Sequence, residues 1–118
     1  VALARAIAFD PELMIYDEPF TGQDPISLGV LTRLVRDLND GLRMTSFVVS
    51  HDVVEVSKIA DRILLFSGGK LLANGAPAEL YASTDPLVHQ FMHAEADGPV
   101  AFHFPAADYA QGLLERVR

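Results

Sequence analysis

The 118-residue sequence predicts an α/β domain with a largely parallel sheet, flanking helices and a β-hairpin. Three observations predict it. Leu13-Met14-Ile15-Tyr16 is a short apolar run suited to a buried parallel strand. Thr45 to Val49 is a β-branched and aromatic run suited to a second. Between them, Leu28, Leu31, Leu34, Val35 and Leu38 recur at helical spacing.

The elements follow in order. Val1 to Phe9 carries an amphipathic helical pattern that ends near Asp10-Pro11. The first strand covers Leu13 to Tyr16, and Phe20 to Asp24 is a loop. Asp24 then reads as an N-cap, with Pro25 at the first helical position. The helix from Ile26 to Leu38 is expected to stop at Asn39-Asp40-Gly41. After the second strand, Asp52 with Glu55 three residues on suggests a capping box for a helix to about Ala60. Arg62 to Phe66 and Lys70 to Ala73 flank Ser67-Gly68-Gly69, a hairpin signal. Short helices are expected over Pro77 to Ala82 and Pro86 to His93. Residues 1–93 are read as one domain portion and 94–118 as a C-terminal extension.

Composition narrows the function. Half the residues are apolar, enough for a sizeable core. The net charge of −7 argues against a nucleic-acid surface, which needs a basic stripe. Cysteine is absent, so disulfides and thiolate metal sites are excluded. No apolar stretch approaches the roughly 20 residues a membrane helix needs, so membrane association is expected to come through a partner. The first residue is not methionine, and the chain starts inside a helical pattern without a cap. It is therefore expected to be a fragment that lacks an N-terminal half.

The chemistry concentrates where the first strand ends. Asp17 and Glu18 follow the apolar run at its C-terminal end, where open α/β sheets place ligands. Adjacent strand residues point to opposite faces, so one carboxylate can address a metal ion and the other a water. Phosphoanhydride hydrolysis needs that division of labour.

Read with Gly22-Gln23-Asp24 and Ser50-His51-Asp52, the stretch Leu13-Met14-Ile15-Tyr16-Asp17-Glu18-Pro19 resembles the C-terminal half of the nucleotide-binding subunit of ABC transporters. The strand resembles the family's Walker B segment with its catalytic glutamate. Gly22-Gln23-Asp24 occupies the D-loop position, where most members read S-A-L-D. Ser50-His51-Asp52 resembles the H-loop, and Val1 to Ala8 the helix after the LSGGQ signature. The resemblance implies the C-terminal part of a RecA-like P-loop domain that binds ATP and Mg²⁺. Asp17 would hold Mg²⁺ through its water shell. Glu18 would be the general base for the water attacking the γ-phosphate. His51 would donate to a phosphate oxygen. Gln23 and Asp24 would reach the opposite subunit of an ATP-sandwich dimer, while Asp24 is also fully explained as a helix cap.

Two decoys fail. Ser67-Gly68-Gly69-Lys70 looks like part of LSGGQ but follows the Walker B strand, whereas the signature precedes it. His89 and His93 have i,i+4 spacing, yet Gln90 stands where a zinc protease carries glutamate, so a solvated helix face explains them better. Walker A, Q-loop and signature are not in this sequence, so the isolated chain is expected to hydrolyse ATP negligibly.

Pro19-Phe20-Thr21-Gly22-Gln23, Asp24-Pro25-Ile26-Ser27 and Gly29-Val30-Leu31 resemble the ATPases of the Mla (maintenance of lipid asymmetry) phospholipid transporters. The tail Asp97-Gly98-Pro99-Val100, Phe102, Pro105, Asp108 and Tyr109 resembles their D-G-P-V-P-F…P…D-Y extension, with Ala101 in place of the second proline. The aromatics Phe102, Phe104 and Tyr109 suggest either docking on another subunit or folding back on the domain. Leu113, Leu114 and Val117 suit a final amphipathic turn. The resemblance implies a second ATPase protomer, two permeases, an MCE-type lipid-binding ring and a STAS-domain protein as partners. The location would be the cytoplasmic face of the bacterial inner membrane. Alternatives are an importer ATPase for amino acids or another small solute, a non-transport ABC ATPase, and a non-catalytic module.

Overall fold

The computed structural model describes residues 2–100. The expected aromatics Phe102, Phe104 and Tyr109, with Pro105, Asp108 and the final turn at Leu113, Leu114 and Val117, lie outside the described residues. The order is α1 (Ala2–Ile7), β1 (Leu13–Asp17), α2 (Pro25–Leu42), β2 (Thr45–Val49), α3 (Val53–Ile59), β3 (Ile63–Ser67), β4 (Lys70–Gly75), α4 (Pro77–Tyr81) and α5 (Pro86–His93). This is the mixed α/β order expected from the pattern.

The strands divide into two short sheets. β1 and β2 pair in parallel, with Ile15 opposite Phe47 and Asp17 opposite Val49. β3 and β4 pair antiparallel as the expected hairpin. Its two-residue loop is Gly68-Gly69, with φ +56° and +74°. Two successive left-handed residues make the turn whose twist matches the flanking strands, and glycine takes that conformation without a side-chain penalty.

One core lies under each sheet. Met14, Tyr16, Val35 and Met44 are buried under the parallel pair, packed by Leu3, Ile7, Leu31, Leu38 and Ile59. Ile63, Leu65, Leu80, Val88 and Met92 form the second, against Val53 and Val56. Helix α3 therefore contributes to both. It is tied to α2 by Thr32 Oγ1, which donates to Glu55 Oε2 at 3.2 Å, and by Arg36 Nη1, which donates to the Ile59 carbonyl at 3.0 Å.

Three expectations need correction. The apolar runs predicted buried strands, but among the described residues only one face of the parallel pair is covered. All its helical packing partners meet the Met14 and Tyr16 side. On the other side Leu13, Ile15, Phe47 and Val49 are 49%, 64%, 51% and 54% exposed. Helix α2 does not stop at Asn39-Asp40-Gly41. It runs on to Leu42 and ends with Arg43 left-handed at φ +52°. Arg36 and Asp40 pair across that stretch at 2.9 Å, and Met44 is buried just beyond it, so packing carries the helix through the local stop signal. The capping box at α3 is half formed. Asp52 accepts from the Glu55 N–H, whereas the Glu55 side chain turns to Thr32 and Lys58.

The start of the extension folds back on α5. The buried Gln90 amide accepts from the Val100 N–H and donates to its carbonyl, both at 2.9 Å.

Candidate functional site at the ends of the parallel strands

The parallel register decides which residues meet. Because Asp17 lies opposite Val49, the chain leaving β1 and the chain leaving β2 emerge side by side. Glu18 extends the ladder by one bond, its N–H donating to the Val49 carbonyl at 2.8 Å. It does so at φ +45°, a left-handed conformation that costs a non-glycine residue about 1–2 kcal/mol. That twist takes Glu18 out of strand alternation at the last paired position. Such strain persists only where the surroundings hold it.

The surroundings are specific. His51 Nδ1 stands 3.0 Å from Glu18 Oε2. Ser50 Oγ and Thr21 Oγ1 each donate to the same oxygen at 3.3 Å. The hydrogen bond from His51 is the largest cause holding the Glu18 carboxyl below its ordinary range. Reciprocally, Glu18 raises His51 above the usual histidine value. Each side chain thus favours the charged form of the other, and the imidazole is 78% exposed. With Nδ1 on Glu18, the other ring nitrogen, Nε2, is the one that can be offered to an incoming ligand.

Asp17 lies on the exposed side of β1, with Leu13 and Ile15. The two acids thus occupy different surroundings, but the left-handed turn at Glu18, which lies just past the strand, separates them rather than strand alternation. Gln23, Gly22 and Thr21 line one side of a shallow cleft of about 230 Å³, and Ser50, His51 and Asp52 line the other. Gly22 turns that loop at φ +76°. Asp24 faces its own helix: Oδ1 accepts from the Ile26 and Ser27 N–H groups at 3.0 and 3.1 Å, and Oδ2 accepts from the Ser27 hydroxyl. Those bonds, Ser27 foremost, keep its carboxyl below the ordinary range.

Glu18, His51 and Gln23 are thus brought to one edge, with Asp17 beside them. Asp24 is placed as a cap. Thr21 and Ser50 carry contacts the sequence reading did not assign. Their signal was present as a hydroxyl three residues after the glutamate and another just before the histidine. His89 and His93 stack on each other with ring centroids 4.2 Å apart. Among the described residues, no group of His, Asp or Glu gathers as a direct metal shell.

No protein-family model matches the chain. The intermembrane phospholipid transport system ATP-binding protein MlaF of Haemophilus influenzae is 54% identical over 114 residues, covering 97% of this chain and 43% of that protein. The sulfate/thiosulfate import ATP-binding protein CysA 1 of Chromobacterium violaceum is 43% identical over 82 residues, 70% of this chain and 23% of that protein. Among solved structures, cbiO1 of Clostridium perfringens, part of the ABC transporter complex cbiONQ, superposes with a TM-score of 0.65 at 27% identity, covering 70% of this chain and 33% of that one. The chain thus spans less than half the length of these relatives, and it matches the C-terminal part of MlaF. Sequence likeness over nearly its whole length, together with the shared fold, shows that the chain belongs to the ATP-binding protein family of ABC transporters.

Proposed function

We propose that the complete subunit containing this chain hydrolyses ATP to drive phospholipid transport between membranes. The observation that carries the proposal is the 54% identity to an MlaF protein over 97% of the chain. The match to CysA 1 covers a smaller share, 70%. The Glu18–His51 pair at the strand ends supplies the chemistry.

Glu18 acts as general base. Its carboxylate takes a proton from water as the water oxygen attacks the γ-phosphorus in line and the bond to the bridging oxygen breaks. His51 donates a hydrogen bond to a γ-phosphate oxygen, where negative charge must be held. Its pairing with Glu18 favours the protonated imidazole, which suits that role. Asp17 is a single exposed carboxylate at a strand end, which fits Mg²⁺ held through its water shell, since Mg²⁺ keeps several waters and takes one or two carboxylates. When bound, the ion neutralises phosphate charge.

Gln23 lines the cleft beside His51 and is assigned to the contact with the second ATPase protomer. Asp24 shapes that loop by capping α2. Residues 1–93 supply this part of the nucleotide-binding domain, and 94–118 form a docking extension. The partners are a second ATPase protomer, membrane permeases, a STAS-domain subunit and an MCE-type lipid-binding protein. The setting is the cytoplasmic face of a bacterial inner membrane. Among the described residues no helix is long and apolar enough to cross a membrane. The isolated chain, without a P-loop, is expected to be inactive.

The test replaces one oxygen. Glu18→Gln in the complete subunit keeps the shape and loses the base. It should retain bound ATP and lose turnover by at least about 100-fold. Undiminished hydrolysis would overturn the assignment.

A further inference from the structure

We propose that Thr21 and Ser50 are positioning residues for Glu18: with His51 they commit one carboxylate oxygen, Oε2, to the protein and leave Oε1 to take the proton of the attacking water. The inference rests on the reading of Glu18 as the base.

A carboxylate has two equivalent oxygens and can rotate to exchange them. Donors shared between both would fix its plane without choosing between them. Here His51 Nδ1 at 3.0 Å, Ser50 Oγ at 3.3 Å and Thr21 Oγ1 at 3.3 Å all address Oε2. Among the described residues no hydrogen bond reaches Oε1. The donors come from two directions: Thr21 from the loop after β1, Ser50 and His51 from the end of β2. An oxygen approached from both strands is held against rotation more firmly than one approached from either alone.

Each hydroxyl is itself oriented. Ser50 Oγ accepts from the Asp52 N–H at 3.1 Å, which occupies one lone pair. A local turn of that kind explains Ser50 as an acceptor, as serine often serves at strand-to-helix junctions. It does not explain where the Ser50 proton goes. The geometry sends it to Glu18. Thr21 is placed by its own N–H, which donates to the Glu18 carbonyl at 3.3 Å and closes the turn over Pro19 and Phe20. Glu18 itself is left-handed at φ +45°, and from that backbone its Oε2 meets both hydroxyls.

His51 can serve both Glu18 and a phosphate oxygen, because its two ring nitrogens are separate donors when protonated. The hydroxyls of Thr21 and Ser50 add to Nδ1 on Oε2, so the choice of oxygen does not rest on the histidine alone.

The experiment uses the complete ATPase subunit. Thr21→Val, Ser50→Ala and the double variant remove the hydroxyls, while Thr21→Ser and Ser50→Thr keep them. Steady-state hydrolysis should show kcat lowered about 10-fold in the double variant, with KM for ATP within about twofold, because misplacement of a reacting group costs rate before it costs binding. The hydroxyl-keeping variants should return kcat to near the unmodified value. A double variant with undiminished kcat overturns the proposal, as does a raised KM with kcat unchanged. Failure of Thr21→Ser and Ser50→Thr to restore the rate also overturns it. Glu18→Gln is measured alongside. If that variant still turns over, the base assignment falls and this proposal with it. If it is inactive while the hydroxyl variants are normal, only this proposal falls.

Discussion

Helix α2 carries a glycine where it needs none and lacks one where it ends. Gly41 lies inside the helix, and a Cβ built there meets no atom within 4 Å. Replacing an interior helical glycine by alanine gains about 0.5–1 kcal/mol. Arg43 ends the helix at φ +52°, where glycine is the unstrained choice. Relief of the left-handed strain, about 1–2 kcal/mol, is offset by the extra freedom of glycine in the unfolded chain, about 0.4–1 kcal/mol. The net gain at 43 therefore lies between about 0 and 1.6 kcal/mol, with a middle value of about 0.8 kcal/mol. Adding the middle values gives about 1.5 kcal/mol for Gly41→Ala with Arg43→Gly, before any coupling between these neighbouring sites. For a domain of this size that raises Tm by roughly 5–10 °C. Thermal melting followed by circular dichroism, on each single variant and the double, measures it. The sign at residue 41 is decisive. If the helix ended at Gly41, as the sequence suggested, alanine there would be forced into the left-handed cap and Tm would fall. A lower Tm for Gly41→Ala would refute the helix boundary and the reasoning built on it.

Two further outcomes follow from the site. His51 should titrate above the ordinary histidine range, and Glu18→Gln should return it there, as followed by the imidazole proton resonances in a pH titration. The charged pair exists only between the lowered Glu18 value and the raised His51 value, so it is lost as pH rises through the latter or falls through the former. An unshifted His51 would dissolve the pair. Asp24→Ala removes the acceptor for the Ile26 and Ser27 N–H groups and should cost about 0.5–2 kcal/mol in a denaturant titration, whereas Asp24→Asn should keep most of the cap.

The sequence made some features legible because their causes are local. Asp24-Pro25 announces the start of α2, and Gly68-Gly69 announces the hairpin, since cap and turn are decided by a few adjacent residues. Asp17, Glu18 and His51 were legible for another reason. Apolar runs that stop abruptly mark strand ends, and two parallel strands end on the same side. The end of α2 was not legible. Asn39-Asp40-Gly41 is a proper local stop, but the Arg36–Asp40 pair and the buried Met44 outweigh it, and those are properties of the packed chain. The bare face of the parallel sheet was hidden as well, because an apolar run does not state which of its faces will meet a helix. Nor does a glutamate in a sequence declare a left-handed backbone. The convergence of Thr21, Ser50 and His51 on one oxygen needed both strand ends in place.

Gln90 holds the peptide of Val100 through that residue's own N–H and carbonyl, which every residue but proline presents identically. Mutational freedom around the clamp is therefore lopsided. Position 100 tolerates almost any side chain. Position 90 does not, because a glutamate would lose the donor and set a carboxylate against the carbonyls of Glu95 and Val100. Position 98 is as restricted, since a Cβ there would fall 2.5 Å from Gln90 Cδ. The extension can thus drift in the residue that leaves the clamp while its point of departure from the domain stays fixed by two residues that cannot.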